Sequence, residues 1–404
     1  MRTKHLFVGA LFGSLLLGSA GASLASSGID SPENGVVQIG RGSTFVARAD
    51  DPLAASFNPA ALPLQKSGVH VGAHLMLMNR CIKRLGADGQ PVSPGGGIPG
   101  PGAPGGPPAE VCADISPFPN PQIAANFRLT QKLAVGLSIM GPHGVGKMVW
   151  PETIPYTNSV GLAVGQPTPA RFLLVESDSL ILNPTLSVGY AVNDWLSVGA
   201  GFTWGVASIS FVNFTEGVSS SKVDEYAINQ EVRSTLSALD AFVPGVVLGV
   251  YASPHRTLDL GASFRWQDAI STRTSLKLES GYWTGGGQPV PQVAPGNITD
   301  DSDAGTLKFR IPLEAKLGLR YHQPRKAGSL VPKPGFKTRD PLANDVFDVE
   351  MDFTYARNSV VQDLEVRFDP GIPVTAHLAP FLRTRTFRID GRTCLAFALA
   401  AITS

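Results

Sequence analysis

An all-β, antiparallel barrel that crosses a membrane is the fold this sequence predicts, on three observations. Stretches of strand length alternate apolar with polar or small residues along most of the 404-residue chain. The connections between them are alternately long and short. A secretion signal stands in front of them all. Alternation with a period of two places one set of side chains on each face of a strand. A soluble sandwich alternates as well, but the signal, the loop asymmetry and the length of the apolar faces favour the membrane barrel.

The signal occupies residues 1–25. Arg2 and Lys4 form its charged start, an apolar stretch fills 6–17, and Ala20-Gly21-Ala22 or Ser23-Leu24-Ala25 forms the cleavage site. The chain is therefore expected to leave the cytoplasm. Residues 26–66 follow, rich in Gly, Ala and Asp and without strand-length alternation. They read as a compact, turn-rich segment placed to plug a barrel lumen.

The clearest hairpin covers residues 183–206. Leu186, Val188 and Tyr190 share one face and Thr185, Ser187 and Gly189 the other; Asn193 and Asp194 make the turn. On the return strand Val198, Phe202 and Trp204 alternate with Gly199, Gly201 and Thr203. Each arm reaches the roughly 9–11 tilted residues that span a bilayer. Similar stretches lie at 69–77, 123–129, 133–139, 243–251, 258–266, 307–321 and 347–355, so nine strands are visible. Long loops follow the odd-numbered strands and short turns the even ones, except for 322–344, which reads as an insertion.

Strand eight, 307–321, carries Lys308, Arg310, Glu314, Lys316 and Arg320 opposite its apolar face, and strand nine carries Asp348, Glu350 and Asp352. On a lipid face each mid-membrane Arg or Lys would cost about 2–4 kcal/mol. Facing inward they are expected to pair across neighbouring strands.

Other chemistries find little support. A net charge of +1 gives no reason to expect nucleic acid as a partner. No G-x-S-x-G motif is present and the seven histidines are scattered, so neither an enzyme nor a cofactor is expected. His70 and His74 share a face of strand one but have no evident third ligand, so no metal site is expected. Cys81 and Cys112 bracket a Gly/Pro-rich loop and are candidates for a disulfide in an oxidising compartment, two unpaired thiols being the alternative.

Three stretches have a familiar pattern. The first runs from Gly40-Arg41-Gly42 through Ala49-Asp50-Asp51 to Asn58-Pro59-Ala60-Ala61-Leu62. The second, the most specific, is Leu182-Asn183-Pro184-Thr185-Leu186-Ser187 with Asn193-Asp194-Trp195-Leu196-Ser197-Val198-Gly199-Ala200-Gly201. The third is the order and spacing of strands six to nine. On these the chain, over about residues 33–370, resembles the FadL family of outer-membrane transporters for long-chain fatty acids and other hydrophobic compounds, which includes aromatic-hydrocarbon uptake proteins such as TodX. The resemblance implies a 14-stranded barrel with an N-terminal hatch. It also implies capture in an extracellular apolar groove, passage to a lumenal pocket, and sideways release through an opening made by an inward kink of the third strand.

Carried over to this sequence, Asn58, Pro59 and Ala60 become a hatch motif. Pro59 fixes φ and Asn58 before it caps a turn, so shaping the entry to strand one is the alternative role. Gly141 and Pro142, at the end of strand three, are the candidate break, since Pro offers no N–H to a ladder. A simple strand end is the alternative.

The C-terminus departs from the family. After residue 374 the alternation lapses, Arg383, Arg385, Arg388 and Arg392 follow no pattern, and the chain given ends at Ser404 rather than at an aromatic residue of the kind the outer-membrane assembly machinery reads. Residues 67–370 are thus expected to hold the barrel strands. Residues 371–404 are expected to be an anomalous tail in which the coding frame is disrupted or the chain cut short. An open sheet in lipid would leave unpaired edges at several kcal/mol per unsatisfied group. The expected function is passive, diffusion-type uptake of hydrophobic compounds, such as long-chain fatty acids or hydrocarbons, across the bacterial outer membrane. Its partners would be the outer-membrane bilayer, the hydrophobic small molecule and the assembly machinery. A general porin for small polar solutes is the alternative, which the hatch segment counts against; a non-functional truncated barrel is the other.

Overall fold

The computed structural model describes residues 35–404 apart from 78, 84–109, 115–116, 158–162, 216, 220–221, 225–229, 285–287, 325–344, 361–362, 370–384, 389–393 and 404. The signal, 1–25, lies outside the described residues, as does most of the loop between Cys81 and Cys112.

Fourteen antiparallel strands form the main sheet. The first six are β1 (Gly68–Met76), β2 (Phe118–Arg128), β3 (Leu133–Val149), β4 (Glu176–Ala191), β5 (Leu196–Thr215) and β6 (Val232–His255). The next four are β7 (Leu258–Gln267), β8 (Ile270–Ser280), β9 (Ile298–Phe309) and β10 (Glu314–Pro324). The last four are β11 (Asp345–Ala356), β12 (Asp363–Phe368), β13 (Arg385–Arg388) and β14 (Cys394–Thr403). β6 pairs through its first half with β8 and through its second half with β7. β7 and β8 are therefore two halves of one long run. The same holds for β9 with β10, β11 with β12, and β13 with β14. The fourteen strands make ten runs in a simple meander.

Nine of these runs follow the alternation of the sequence, and the tenth is the difference. Residues set aside as an anomalous tail add to the sheet as β14, in register with β11 from Phe347 opposite Thr403 to Ala356 opposite Cys394. This segment alternates Leu395, Phe397 and Leu399 with Ala396, Ala398 and Ala400. It alternates in size rather than polarity, so a polarity pattern misses it.

The sheet is wrapped round the N-terminal segment. Backbone or side-chain atoms of residues 35–66 bond to His74 on β1, Asn126 on β2, Ser138 on β3, Ser187 on β4, Ser197 on β5, Val250 on β6 and Asp348 on β11. One short segment reaches strands from both ends of the meander only if the sheet curls into a barrel about it.

The lower part of this barrel, towards the short turns, has the reverse of a water-soluble polarity. Leu186, Phe202, Leu248 and Leu317 are 46–59% exposed, whereas Ser187, Asp259, Arg320 and Glu350 are at most 2% exposed. Leaving large apolar side chains outside forfeits about 1.5–3 kcal/mol each in water, so this belt has the character of a surface that meets hydrocarbon. Tyr190, Trp195 and Tyr321 lie exposed near its lower edge, and Trp204, Phe242 and Trp266 near its upper edge. Nine residues separate Trp195 from Trp204. At about 3.3 Å per residue and a tilt of about 40° they span roughly 23 Å, close to the ~25 Å apolar band of outer-membrane barrels.

At that upper edge the wall changes. β6 has a bulge between Asp240 and Val243, β7 gives way to β8 at residues 268–269, and β9 gives way to β10 across Arg310–Leu313, which includes Pro312. A one-residue insertion in a strand sends every later side chain to the opposite face. Below the line Asp259 and Gln267 point inward; above it Ile270, Leu276 and Leu278 do. Strand eight of the sequence therefore does not keep one face. Leu307 and Phe309 are buried and Lys308 and Arg310 exposed, while beyond the break Leu317 and Leu319 are exposed and Arg320 buried. Above the line the lumen closes on a buried apolar cluster that includes Ile181, Ile209, Val243, Ile270, Leu307 and Phe309.

Candidate functional site

The lumen below that cluster is filled by the hatch: helix α1 (Val36–Gly40), helix α2 (Ala54–Phe57) and a 3₁₀ helix, Pro59–Leu64. Pro59 opens the 3₁₀ turn at a position where a missing N–H costs nothing. The fully buried Asn58 caps it, its Oδ1 accepting the Ala60 N–H at 3.3 Å. Its Nδ2 donates to the Val46 carbonyl at 2.9 Å and to the Val250 carbonyl of β6 at 3.2 Å. One side chain thus ties two hatch segments to each other and to the wall, beyond shaping a turn. Ser187 and Ser197 donate to the carbonyls of Ala55 and Ala60, both at 2.6 Å. The small face of the 183–206 hairpin has its reason here. A Cβ at Gly199 or Gly249 would strike the backbone of Pro59 or the side chain of Asn58.

The acidic face of β11 holds the other end. Arg41, 2% exposed, donates to both Asp348 oxygens at 3.0 Å, and its Nη2 donates to Glu350 at 3.0 Å. Asp352 accepts the N–H groups of Phe45 and Val46 at 2.8 and 3.0 Å, and Glu350 those of Ala47 and Arg48 at 3.2 and 3.0 Å. Ser43 and Ala49 flank this stretch at φ 70° and 37°, backbone that non-glycine residues enter only when their surroundings hold them there. The expected pairing with strand eight also occurs, through Arg320 to Asp348 at 2.7 Å and to Asp345 at 2.6 Å. Arg41 and Arg48 were not expected as partners. The signal for Arg41 is its place between Gly40 and Gly42 in a segment destined for an acidic lumen; Arg48, between Ala47 and Ala49, carries none.

Asp51 sits in the hatch, its oxygens receiving Leu53 N–H at 2.8 Å and the Gln38 amide at 3.3 Å. Burial, reinforced by the neighbouring Asp50 carboxylate, pushes its pKa up from 3.8 to about 6. The folded hatch then holds more protons than the unfolded chain between those values. Hatch stability is present at the acid end of this window and declines as pH rises through about 6. Protection factors of hatch amides, with the base-catalysed rise in intrinsic exchange divided out, are expected to be lower at pH 7 than at pH 5, and Asp51→Asn is expected to abolish that difference.

The wall has a second feature beside the hatch. The β2–β3 ladder ends at Gln122 opposite Met140. β2 continues to Phe118 paired only with β1, and β3 continues to Val149 paired only with β4. Gly141 and Pro142 are therefore not a strand end, because β3 runs through them with irregular register; what stops is the ladder to β2. Pro119 and Pro121 on β2 have no N–H to give. Across the gap Asn120 Nδ2 donates to the Gly141 carbonyl at 3.1 Å. Inside it, the buried Gln122 amide has no partner among the described residues. His70 and His74 turn to the lumen of this wall, and His74 Nε2 accepts the Gly35 N–H at 3.0 Å.

Cys81 and Cys112 face each other across a short hairpin, Cys81–Lys83 with Glu110–Cys112, and are joined as a disulfide. Val111 packs with Met148, Trp150, Ile154 and Ala170, so the hairpin docks on the loop after β3. A bridge across a 31-residue separation contributes about 3–4 kcal/mol in the chain-entropy account. Reduction is expected to expose this hairpin to proteases while leaving the barrel resistant, which limited proteolysis with and without dithiothreitol measures.

No family model matches the sequence, and no curated protein matches it. Solved structures do. A Pseudomonas aeruginosa FadL homologue superposes with a TM-score of 0.60 at 16% identity, covering 92% of this chain and 77% of that one. The chain has the FadL fold. The Ralstonia pickettii toluene transporter TbuX agrees at a TM-score of 0.51 and 15% identity, covering 91% and 81%. A deltaS2 mutant of the TodX monoaromatic hydrocarbon channel agrees at 0.53 and 13%, covering 92% and 79%. In this example of the FadL fold the plugged lumen and the interrupted β2–β3 ladder lie side by side.

Proposed function

We propose that this protein is a passive channel of the bacterial outer membrane for hydrophobic compounds. The observation that carries the reading is a lumen blocked along its axis and a wall interrupted at its side. The hatch fills the lower barrel, the apolar cluster lies above it, and the missing ladder between β2 and β3 offers a sideways way out. A blocked axis disfavours a porin for polar solutes, whereas an apolar molecule leaving sideways enters hydrocarbon without crossing water. The solved structures of like fold include a toluene transporter and a monoaromatic hydrocarbon channel, which supports small hydrocarbons alongside fatty acids as cargo.

The test is uptake by cells lacking their own hydrophobic-compound channels, with mobility on unboiled gels confirming a folded barrel. Labelled oleate or toluene is expected to enter faster with the protein than without it, and a labelled disaccharide is not. Gly141→Leu is expected to remove most of that uptake. A Cβ there already comes within 2.8 Å of Asn120 Oδ1, so a larger side chain fills the space beside the gap. Disaccharide influx without oleate or toluene uptake would overturn the reading.

A further inference from the structure

The line of interruptions at the upper edge of the apolar belt leaves a cavity of about 360 Å³ in the wall, lined by both halves of the broken runs. Its inner wall is apolar, lined by Ile311, Leu313 and Val360, of which Ile311 and Val360 back on the cluster above the hatch. Its outer rim is not. Lys308, Arg310 and Arg357 line it from the exposed side, with Trp266 below them. Lys308 lies opposite Glu365 in the β9–β12 register.

Of the nearby carboxylates Asp268 itself lines the cavity and sets one negative charge against the three cations, while the others are held by neighbouring groups. Asp240 accepts the N–H groups of Phe242 and Ser271 at 3.1 and 2.9 Å, and Asp268 that of Ala269 at 2.8 Å. Asp303 and Asp369 both hold Arg273. Among the described residues no ion pair joins Arg310 or Arg357 to a carboxylate.

Two arginines beside a tryptophan, just above an apolar belt, sit at the height of lipid headgroups. Below the rim the exposed side chains of Trp266, Phe264, Leu317 and Leu319 continue down the same face. Arginine binds phosphate with paired, charge-assisted hydrogen bonds, and indole favours the membrane–water boundary. We propose that the rim formed by Arg310, Arg357 and Lys308 holds the phosphate headgroup of an anionic outer-leaflet lipid whose acyl chains lie along Trp266, Phe264 and Leu317. This rests on the membrane placement of the proposed function but not on its cargo.

The test uses the full-length protein in mixed micelles, with native mass spectrometry reading bound lipid. The probes are a diphosphorylated glycolipid, the same glycolipid without its phosphates, and inorganic pyrophosphate as competitor. The protein is expected to retain the phosphorylated glycolipid and not the dephosphorylated one. Arg310→Gln and Arg357→Gln are each expected to weaken retention about tenfold or more, and Arg256→Gln, at the opposite end of the barrel, to leave it unchanged. Retention by both rim variants equal to that of the parent protein, with the variants confirmed folded by gel mobility, overturns the proposal. So does loss of the glycolipid to equimolar pyrophosphate, which would mark a site for free anions rather than a lipid seat. Failure of hydrophobic uptake leaves this readout untouched, so the two readings fail separately.

Discussion

Replacing Arg41 with Met is expected to loosen the hatch by about 3–5 kcal/mol, the usual cost of removing one partner from a buried ion pair. Arg41 is the cation shared between Asp348 and Glu350, all three at most 4% exposed. Asp348 keeps Arg320 and Arg48. Glu350 keeps only hydrogen bonds from the Ala47 and Arg48 N–H groups, too little for a carboxylate shut away from water. The barrel should still assemble, because its ladders do not involve Arg41. The measurable consequence is a several-fold rise in the rate at which protease cuts within residues 36–64, with the barrel itself intact. Adding Glu350→Gln to Arg41→Met should restore part of the protection by removing the orphaned charge. Unchanged protection in the single variant would show that the hatch is held by its neutral contacts alone.

A comparable effect is expected from Gly199→Val, by a different route. Gly199 lies on β5 where the 3₁₀ turn of the hatch presses on the wall, and the nearest atoms to an added Cβ are backbone atoms of Pro59 and Ala60. Overpacking a core costs about 1–3 kcal/mol when side chains can yield; here a backbone must move. That backbone is also fixed by Asn58, so displacing it breaks the bonds to Val46, Val250 and Ala60 together. Limited proteolysis should cut within residues 36–64 of the variant and not of the parent, while mobility before boiling stays that of a folded barrel. Protection equal to the parent would mean the hatch can shift without letting go.

The expectations that succeeded rested on polarity, and those that failed did so where polarity and position part company. The 183–206 hairpin was legible because its faces differ in kind, Leu186 and Val188 against Ser187 and Gly189. β14 was not, because Leu and Ala differ only in bulk. Alternate apolar residues run unbroken from Leu307 to Tyr321, so the reversal at the break left no gap in the pattern; Pro312 was its sole trace. At the hatch, Asn58 could be read as a turn former, but its bond to Val250 spans 192 positions and no local rule contains it. The carboxylates of β11 were assigned to the lumen. That hatch arginines would meet them depended on how the lumen is filled. At Gly141 and Pro142 β3 runs on and what stops is the ladder to β2, in which Pro119 and Pro121 of the partner strand matter as much as Pro142.

The row of interruptions at the upper edge of the belt also sets a waterline. Below it the barrel is a hull turned inside out, greasy without and wet within; above it the same strands form an ordinary vessel with the grease inside. Because each interruption reverses the faces, no residue above the row can sink into hydrocarbon without bringing Ser271, Arg273 or Lys308 with it, and none below can rise without wetting Phe264 or Leu317. Immersion depth is thus written into the backbone rather than left to a gradual change in composition.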